Sequence, residues 1–180
     1  MFFRTPPRLL PGLTLSFVPI ALLAALFASG CAHSSDTEAA SAVPVKVAPA
    51  AAAPAGDPVA GEAVYQRICI VCHQYNGLGL PGAFPPLAGV SIVTAADPGK
   101  IIRIVLHGLQ GPVDVDGTTF NSIMPPPAPA LNDQEVADVL SYVRNEWGNE
   151  AAPVTVEAVT AIRAQGTRAT PWTWAELEKL

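Results

Sequence analysis

The sequence predicts a small all-α body of three to four helices with one short β-hairpin, and three observations predict it. Helix start signals are dense from Asp57 onward: Asp-Pro at 57–58, Asp-Pro again at 97–98, and Asn132 three residues before Glu135. Apolar residues recur at helical spacing behind these signals, most clearly Val136, Val139, Leu140, Val143 and Trp147. One strand signal stands apart, "VDVDGTTF", in which Asp116-Gly117 is flanked by valine, threonine and phenylalanine.

Asp57 caps the first helix and Pro58 takes its first position, where a missing N–H costs nothing, so a helix is expected to about Arg67. Asp97-Pro98 repeats the device and opens "GKIIRIVLHG", closed by Gly108. Asp114 and Asp116 would suit calcium, but the rest of a calcium loop is missing and turn chemistry accounts for both. Asn132 and Glu135 form a capping box ahead of a helix expected to bury one face. After Gly148, "TVEAVTAIRAQ" reads as a short amphipathic helix, and Thr173 with Glu176 as a further capping box. Trp172 and Trp174 flank that cap and are expected to fold back on the body, because exposed tryptophan patches are rare on monomers; docking a partner is the alternative.

The N-terminal part is of another kind. Arg4 and Arg8 precede an uncharged apolar run from Leu13 to Phe27, followed by Ala28, Ser29 and Gly30, so residues 1–30 read as a secretory signal peptide. "ASGC" ends in Cys31 and resembles the lipobox of bacterial lipoproteins, with Ala28 where such boxes usually carry leucine. That resemblance implies a lipidated Cys31 at the mature N-terminus. Ordinary cleavage after Ala32 and an uncleaved anchor are the alternatives, and all three place the folded part outside the cytoplasm. Residues 32–56 scatter three prolines through a stretch rich in alanine and serine, with no Phe, Tyr or Trp and no sustained periodicity, a flexible linker spanning about 25–30 Å as a coil and up to about 80 Å stretched. His33 belongs to that solvated stretch. The chain therefore divides into a leader (1–30), a lipidated cysteine and linker (31–56), a body (57–148) and a helical extension (149–180).

"ICIVCHQY", residues 68–75, carries the chemistry. In an exported chain a C-x-x-C pair could be a disulfide, a redox pair, half a zinc site or the thiols that attach haem. A disulfide there closes too small a loop to remove much unfolded-state entropy, and a thioredoxin-like pair wants a βαβ context. Adjacent Cys72 and His73 cannot easily both reach one tetrahedral zinc ion. Haem attachment uses all three residues: Cys69 and Cys72 on one helical turn as thioethers to the haem vinyl groups, and His73 on the iron. A body of about ninety residues buries only some 60–65 % of its unfolded surface, so it gains from a large apolar group inside.

An iron that only carries electrons needs a sixth ligand. Apart from the initiator, Met124 is the sole methionine, set in the proline-rigid "NSIMPPPAP" just before the last body helix, and it is the expected ligand. A core-filling role is the ordinary alternative for a methionine. His107 competes, but its place at a helix end before Gly108 is already accounted for by the helix dipole.

Taken together, these residues resemble a class I, monohaem His/Met cytochrome c domain over about Asp57 to Gly148. The resemblance implies one covalent haem c in a fold of three to four helices. It implies that the carbonyl of Pro85, twelve residues after His73, accepts the imidazole Nδ1–H and so orients the ring. It further implies that Gly61 and Tyr65 pack across Val139 and Tyr142. "GPVDVDGTTFNSIMPP" and "LNDQEVADVLSYVRNEWGN" are similar to the cytochrome domains that accompany copper nitrite reductases and quinoprotein dehydrogenases.

The expected function is that of a membrane-tethered periplasmic electron carrier, without catalytic residues, shuttling one electron between a redox donor and a respiratory acceptor. Apolar burial and a thioether ligand both favour ferrous iron and a high potential. Loss of residues 1–30 removes Arg4 and Arg8, leaving eight basic against fifteen acidic residues, a charge near −7 that suits a basic docking partner and argues against nucleic acid. The alternatives are an electron-accepting subunit of a dehydrogenase or nitrite reductase complex, and a haem-based sensor with a labile sixth position.

Overall fold

The computed structural model describes residues 54–180; the leader, Cys31, His33 and residues 32–53 of the expected linker lie outside the described residues. The fold begins earlier than Asp57. The Gly56 amide donates to the Val154 carbonyl (2.8 Å), Val156 donates to Pro54 (3.1 Å), and Ala55 bridges Thr155. A side chain on Gly56 would run into the Ala137 carbonyl, so Pro54–Gly56 are packed structure, and the linker boundary expected at residue 56 moves back accordingly.

Helix α1 (Pro58–Val64) starts as its punctuation demands, with the Asp57 carboxylate accepting from the Val59 amide at 2.9 Å. It does not stop near Arg67. A π turn at Tyr65–Cys69 leads directly into α2 (Ile70–His73), making one helical run that ends at Gln74, whose φ of 63° leaves the helical region. Nothing between Arg67 and His73 breaks a helix: glycine and proline are both absent there. A single turn, α3 (Ser91–Thr94), precedes α4 (Gly99–His107), which the Asp97 carboxylate caps through the Gly99 amide (2.8 Å) and Gly108 closes at φ 80°. The hairpin β1 (Pro112–Val115) and β2 (Thr118–Asn121) pairs Val113 with Phe120, both buried. Asp116 and Gly117 take positive φ at its turn, the conformation a tight two-residue hairpin requires, and the Asp114 carboxylate accepts from Gly117. Asp116 accepts from the amide and hydroxyl of Ser91, tying the hairpin to α3.

Both halves of the Asn132–Glu135 capping box are made, and they start α5 (Asp133–Val143). The expectation of one buried face fails, because every residue from Val136 to Val143 is buried. Three neighbours account for this: α1 on the side of Asp138 and Tyr142, the extended segments at Gly56 and Val154 on the side of Ala137 and Ser141, and a cavity on the side of Val139, Leu140 and Val143. Trp147 is not on the helix; at φ 55° it turns back, and its ring packs tilted against Tyr65 and edge-on against Tyr142, with centroids 5.1 and 5.6 Å away. The α1–α5 crossing is close because Gly61 lies against the Asp138 carbonyl and Tyr142 Cβ, where any side chain would overlap. Tyr65 and Val139 are buried at the same crossing. Arg144, 1 % exposed, anchors the end of α5 by donating to the carbonyls of Val93 and Ala152.

The chain beyond Gly148 packs on this body. Helix α6 (Val156–Arg163) is capped by Thr155 and held to the start of α5 by Thr160 and Arg163, which both donate to Asp133. Helix α7 (Trp174–Leu177) has the full Thr173–Glu176 capping box, and Leu177 is completely buried against Ile104, Leu109, Val113 and Phe120. Trp172 and Trp174 pack against the same cluster, as expected of a tail that folds back.

Candidate functional site

The run from Pro58 to His73 delivers the cysteine–histidine cluster. Its π turn ends at Cys69, and the single turn of α2 carries Cys72 and His73. π turns of this kind concentrate at functional sites, where they change the direction of a side chain without breaking the helix. The chain leaving His73 is pinned by the aromatic core: Tyr65 donates its hydroxyl to the Gln74 carbonyl (2.6 Å), and the Trp147 indole N–H donates to Tyr75 (3.1 Å).

His73 is 7 % exposed, and its Nδ1 lies 3.0 Å from the Pro85 carbonyl oxygen. A carbonyl only accepts, so Nδ1 carries the proton and Nε2 keeps a free lone pair, the tautomer a metal-binding imidazole uses. Burial lowers the ring's pKa and favours this neutral form, with the Pro85 bond opposing in part. The Pro85 carbonyl is itself held in place. Gly79 donates to the His73 carbonyl (3.0 Å), Leu80 and Phe84 bridge, and Leu87 donates to Gly77 (2.7 Å). Asn149 locks the far side of the loop by accepting from Gly89 and donating to the carbonyls of Leu87 and Val143.

His73 opens on a cavity of ≈ 870 Å³, mouth included, bounded by α2, the 85–87 loop, α4, the hairpin and α5. The structure brings Cys69, His73, Pro85 and Met124 together in its lining; Cys72, half-buried, stands outside it. Apart from Cys69, His73, Met124 and Trp174, every lining side chain is hydrocarbon. Burial pushes the Cys69 thiol up to about 11, with Cys72 contributing. Met124 reaches the cavity from the loop after β2, and its amide and carbonyl both pair with Leu109 (2.8 and 3.0 Å).

His107 goes elsewhere. It ends α4 on a separate cleft with Arg103, Arg168 and Trp172, where burial, and then the charges of Arg168, Arg163 and Arg103, lower its pKa. Trp174 is the lining residue that the motifs did not reveal. The Thr173–Glu176 capping box places a helix start beside it, yet nothing local says which cavity that helix faces. Leu109 is the second such residue, since its pairing with Met124 depends on two segments fifteen residues apart meeting.

An apolar cavity with an oriented imidazole and a thioether in its walls fits a haem-binding electron-transfer module. Residues 58–147 match the family model for cytochrome c, and the chain belongs to that family. It is 41 % identical over 113 residues to cytochrome c-552 of Thermus thermophilus, an alignment covering 58 % of this chain and 85 % of that protein. It is 36 % identical over 118 residues to the cytochrome c subunit of the alcohol dehydrogenase (quinone) of Gluconobacter oxydans, covering 64 % of this chain and 24 % of the subunit. The cytochrome c subunit of gluconate 2-dehydrogenase from Pantoea cypripedii is 38 % identical over 116 residues, 62 % of this chain and 25 % of the subunit. This chain thus spans about a quarter of the length of those dehydrogenase subunits. The protein is a cytochrome c electron carrier with covalently bound c-type haem, and its relatives include cytochrome subunits of dehydrogenase complexes.

Proposed function

We propose that this protein is a one-haem carrier tethered to a bacterial membrane on its periplasmic side, moving single electrons from a dehydrogenase-type donor toward a respiratory acceptor. In this reading Cys69 and Cys72 would hold the haem as thioethers, His73 and Met124 would be the ligands to its iron, and Pro85 orients His73. The single observation that carries the assignment is the apolar cavity lined at once by Cys69 and His73, from one helical run, and by Met124, from a loop some fifty residues further along. When bound, the haem supplies a one-electron change between ferrous and ferric iron. The chain's own work is to fix the ligands, exclude water with the hydrocarbon wall and lower the cost of the ferrous form through a neutral sulfur ligand.

Val71 and Tyr75 beside Cys72 in sequence, and Leu78 and Leu80 in the loop that follows, are exposed, and Ser122 donates to the Ala83 carbonyl, which sets exposed Ile123 beside the same loop. Apolar surface of this kind suits brief contact with a redox partner. Similarity over most of the length of cytochrome c-552 favours a free-standing carrier, while similarity to dehydrogenase subunits favours a quinoprotein or related dehydrogenase as donor, or a place as the electron-accepting subunit of such a complex. Cys31 supplies the tether through lipidation; a soluble periplasmic form after ordinary cleavage is the alternative.

The experiment is mass spectrometry of protein matured in a haem-attaching bacterial host, together with membrane fractionation. Haem should stay with the polypeptide through acid-acetone extraction and denaturing electrophoresis, and the N-terminus should be an acylated Cys31. Extractable haem in wild type would overturn the attachment by Cys69 and Cys72. An unmodified terminus at His33 would overturn the tether and leave the haem assignment standing.

A further inference from the structure

We propose that the segment Trp172–Leu177 is a clasp that holds Met124 in ligating position, with Trp174 and Leu177 as positioning residues. The inference rests on the reading of Met124 as the sixth ligand and extends it to a part of the chain outside the matched family region.

The Met124 loop has little means of holding itself. Pro125, Pro126 and Pro127 follow it and have no N–H to donate. Its backbone is fixed from outside, by Leu109: Leu109 donates to the Met124 carbonyl and Met124 donates back, at 3.0 and 2.8 Å. Gly108 makes this approach possible, since a Cβ there would stand 2.6 Å from the Met124 carbonyl oxygen.

Leu109 is in turn paired on its other edge. Trp172 donates to the Gly108 carbonyl (3.0 Å) and accepts from Gln110 (2.8 Å), a parallel bridge that makes Leu109 the middle of three short backbone segments, Met124–Leu109–Trp172. The side chains follow the backbone. Leu177 is fully buried in the cluster of Ile104, Leu109, Val113 and Phe120 on which Met124 and Trp174 also pack, and Trp174 lines the same cavity as Met124.

The clasp is latched by its own polar contacts. The Glu176 carboxylate accepts from the Thr173 amide and hydroxyl (both 2.8 Å) and from Arg168 (2.8 Å). The Arg168 guanidinium lies 3.6 Å from the Trp172 ring centroid, and the Lys100 ammonium 5.6 Å from that of Trp174. Without these residues, Leu109 loses one edge partner, the cavity loses a wall, and the methionine thioether, a neutral ligand with no charge to hold it to iron, becomes open to replacement by small molecules.

The test uses the haem-loaded full chain with Trp174→Ala, Leu177→Ala, Trp174→Phe and a stop after Gly166. The readouts are the sulfur-to-iron absorption band of the ferric form and the rate of carbon monoxide binding to the ferrous form. Trp174→Ala and the truncated chain should lose or weaken the band and bind carbon monoxide at least tenfold faster, with Trp174→Phe restoring most of both. Hydrogen exchange should quicken at the Leu109 and Met124 amides in Leu177→Ala while the α1–α5 amides stay protected, which separates local release from unfolding. Unchanged band, binding rate and exchange in these variants would overturn the clasp while leaving Met124 as ligand. A wild type without the band would overturn the ligand assignment, and the clasp with it.

Discussion

Gly79 lies directly behind Pro85: a Cβ on Gly79 would overlap the carbonyl groups of Phe84 and Pro85, the second of which is the acceptor for His73. Only a residue without a side chain lets the chain pass there, and its φ of 65° reinforces the requirement.

The first prediction follows from that contact. Gly79→Ala should cost about 1–3 kcal/mol from the positive φ alone, with more from the overlap. Because the displaced atom is the oxygen that fixes His73, the substitution should also shift the reduction potential. Denaturant unfolding beside redox titration checks both; a variant with wild-type potential and stability would mean that Pro85 does not govern the histidine.

The second prediction concerns the sixth ligand. Met124→Ala should abolish the sulfur-to-iron band, open ferrous iron to carbon monoxide and lower the potential by part of the ~0.8 V that axial ligands span. His107→Ala should leave all three unchanged, because His107 faces the Arg103–Arg168 cleft and not the cavity. Optical spectra and redox titration decide the matter, and the reverse pattern would move the ligand to His107.

Much of this architecture is local chemistry and could be read directly. Asp57-Pro58, Asp116-Gly117, Asn132–Glu135 and Thr173–Glu176 each act within four residues, and each stands in the fold as its residue types require. Cys69 and His73 were legible because attachment spacing is itself a short motif, and Met124 because the chain offers so few alternatives. Pro85 came from resemblance to a family, since a carbonyl is common to every residue and carries no signature. The all-round burial of α5 and the place of Trp174 were illegible, because both depend on which segments arrive from far along the chain.

The third prediction is a pH dependence. The Thr173 amide, Arg168 and the Thr173 hydroxyl hold the Glu176 carboxyl at about 2, below its ordinary 4.5. A carboxyl with a lowered folded-state pKa contributes its full stabilisation above its unfolded value and loses it as pH falls through the folded one. The latch on α7 should therefore weaken between about pH 4.5 and pH 2, and tryptophan emission, quenched by haem while Trp174 lines the cavity, should rise in that window. In Glu176→Gln the rise should no longer depend on pH there. Identical acid titrations of the two proteins would show that Glu176 is not the latch.

The π turn at Tyr65–Cys69 amounts to one surplus residue wound into an otherwise α-helical run. At 3.6 residues per turn, a surplus residue carried through as plain α-helix would swing Cys69, Cys72 and His73 by about 100° relative to Gly61 and Tyr65. Absorbing it in one wide turn keeps two faces in independent phase, one set by the crossing with α5 and the other by the cavity. Removing Gln66 is then an edit that tightens the winding yet preserves the phase, whereas adding a residue between Cys69 and His73 rotates the histidine away from Pro85. Spacing counted from Asp57 is for this reason a poor ruler for the cluster, and a related chain one residue shorter at this point would differ in pitch while presenting the same two faces.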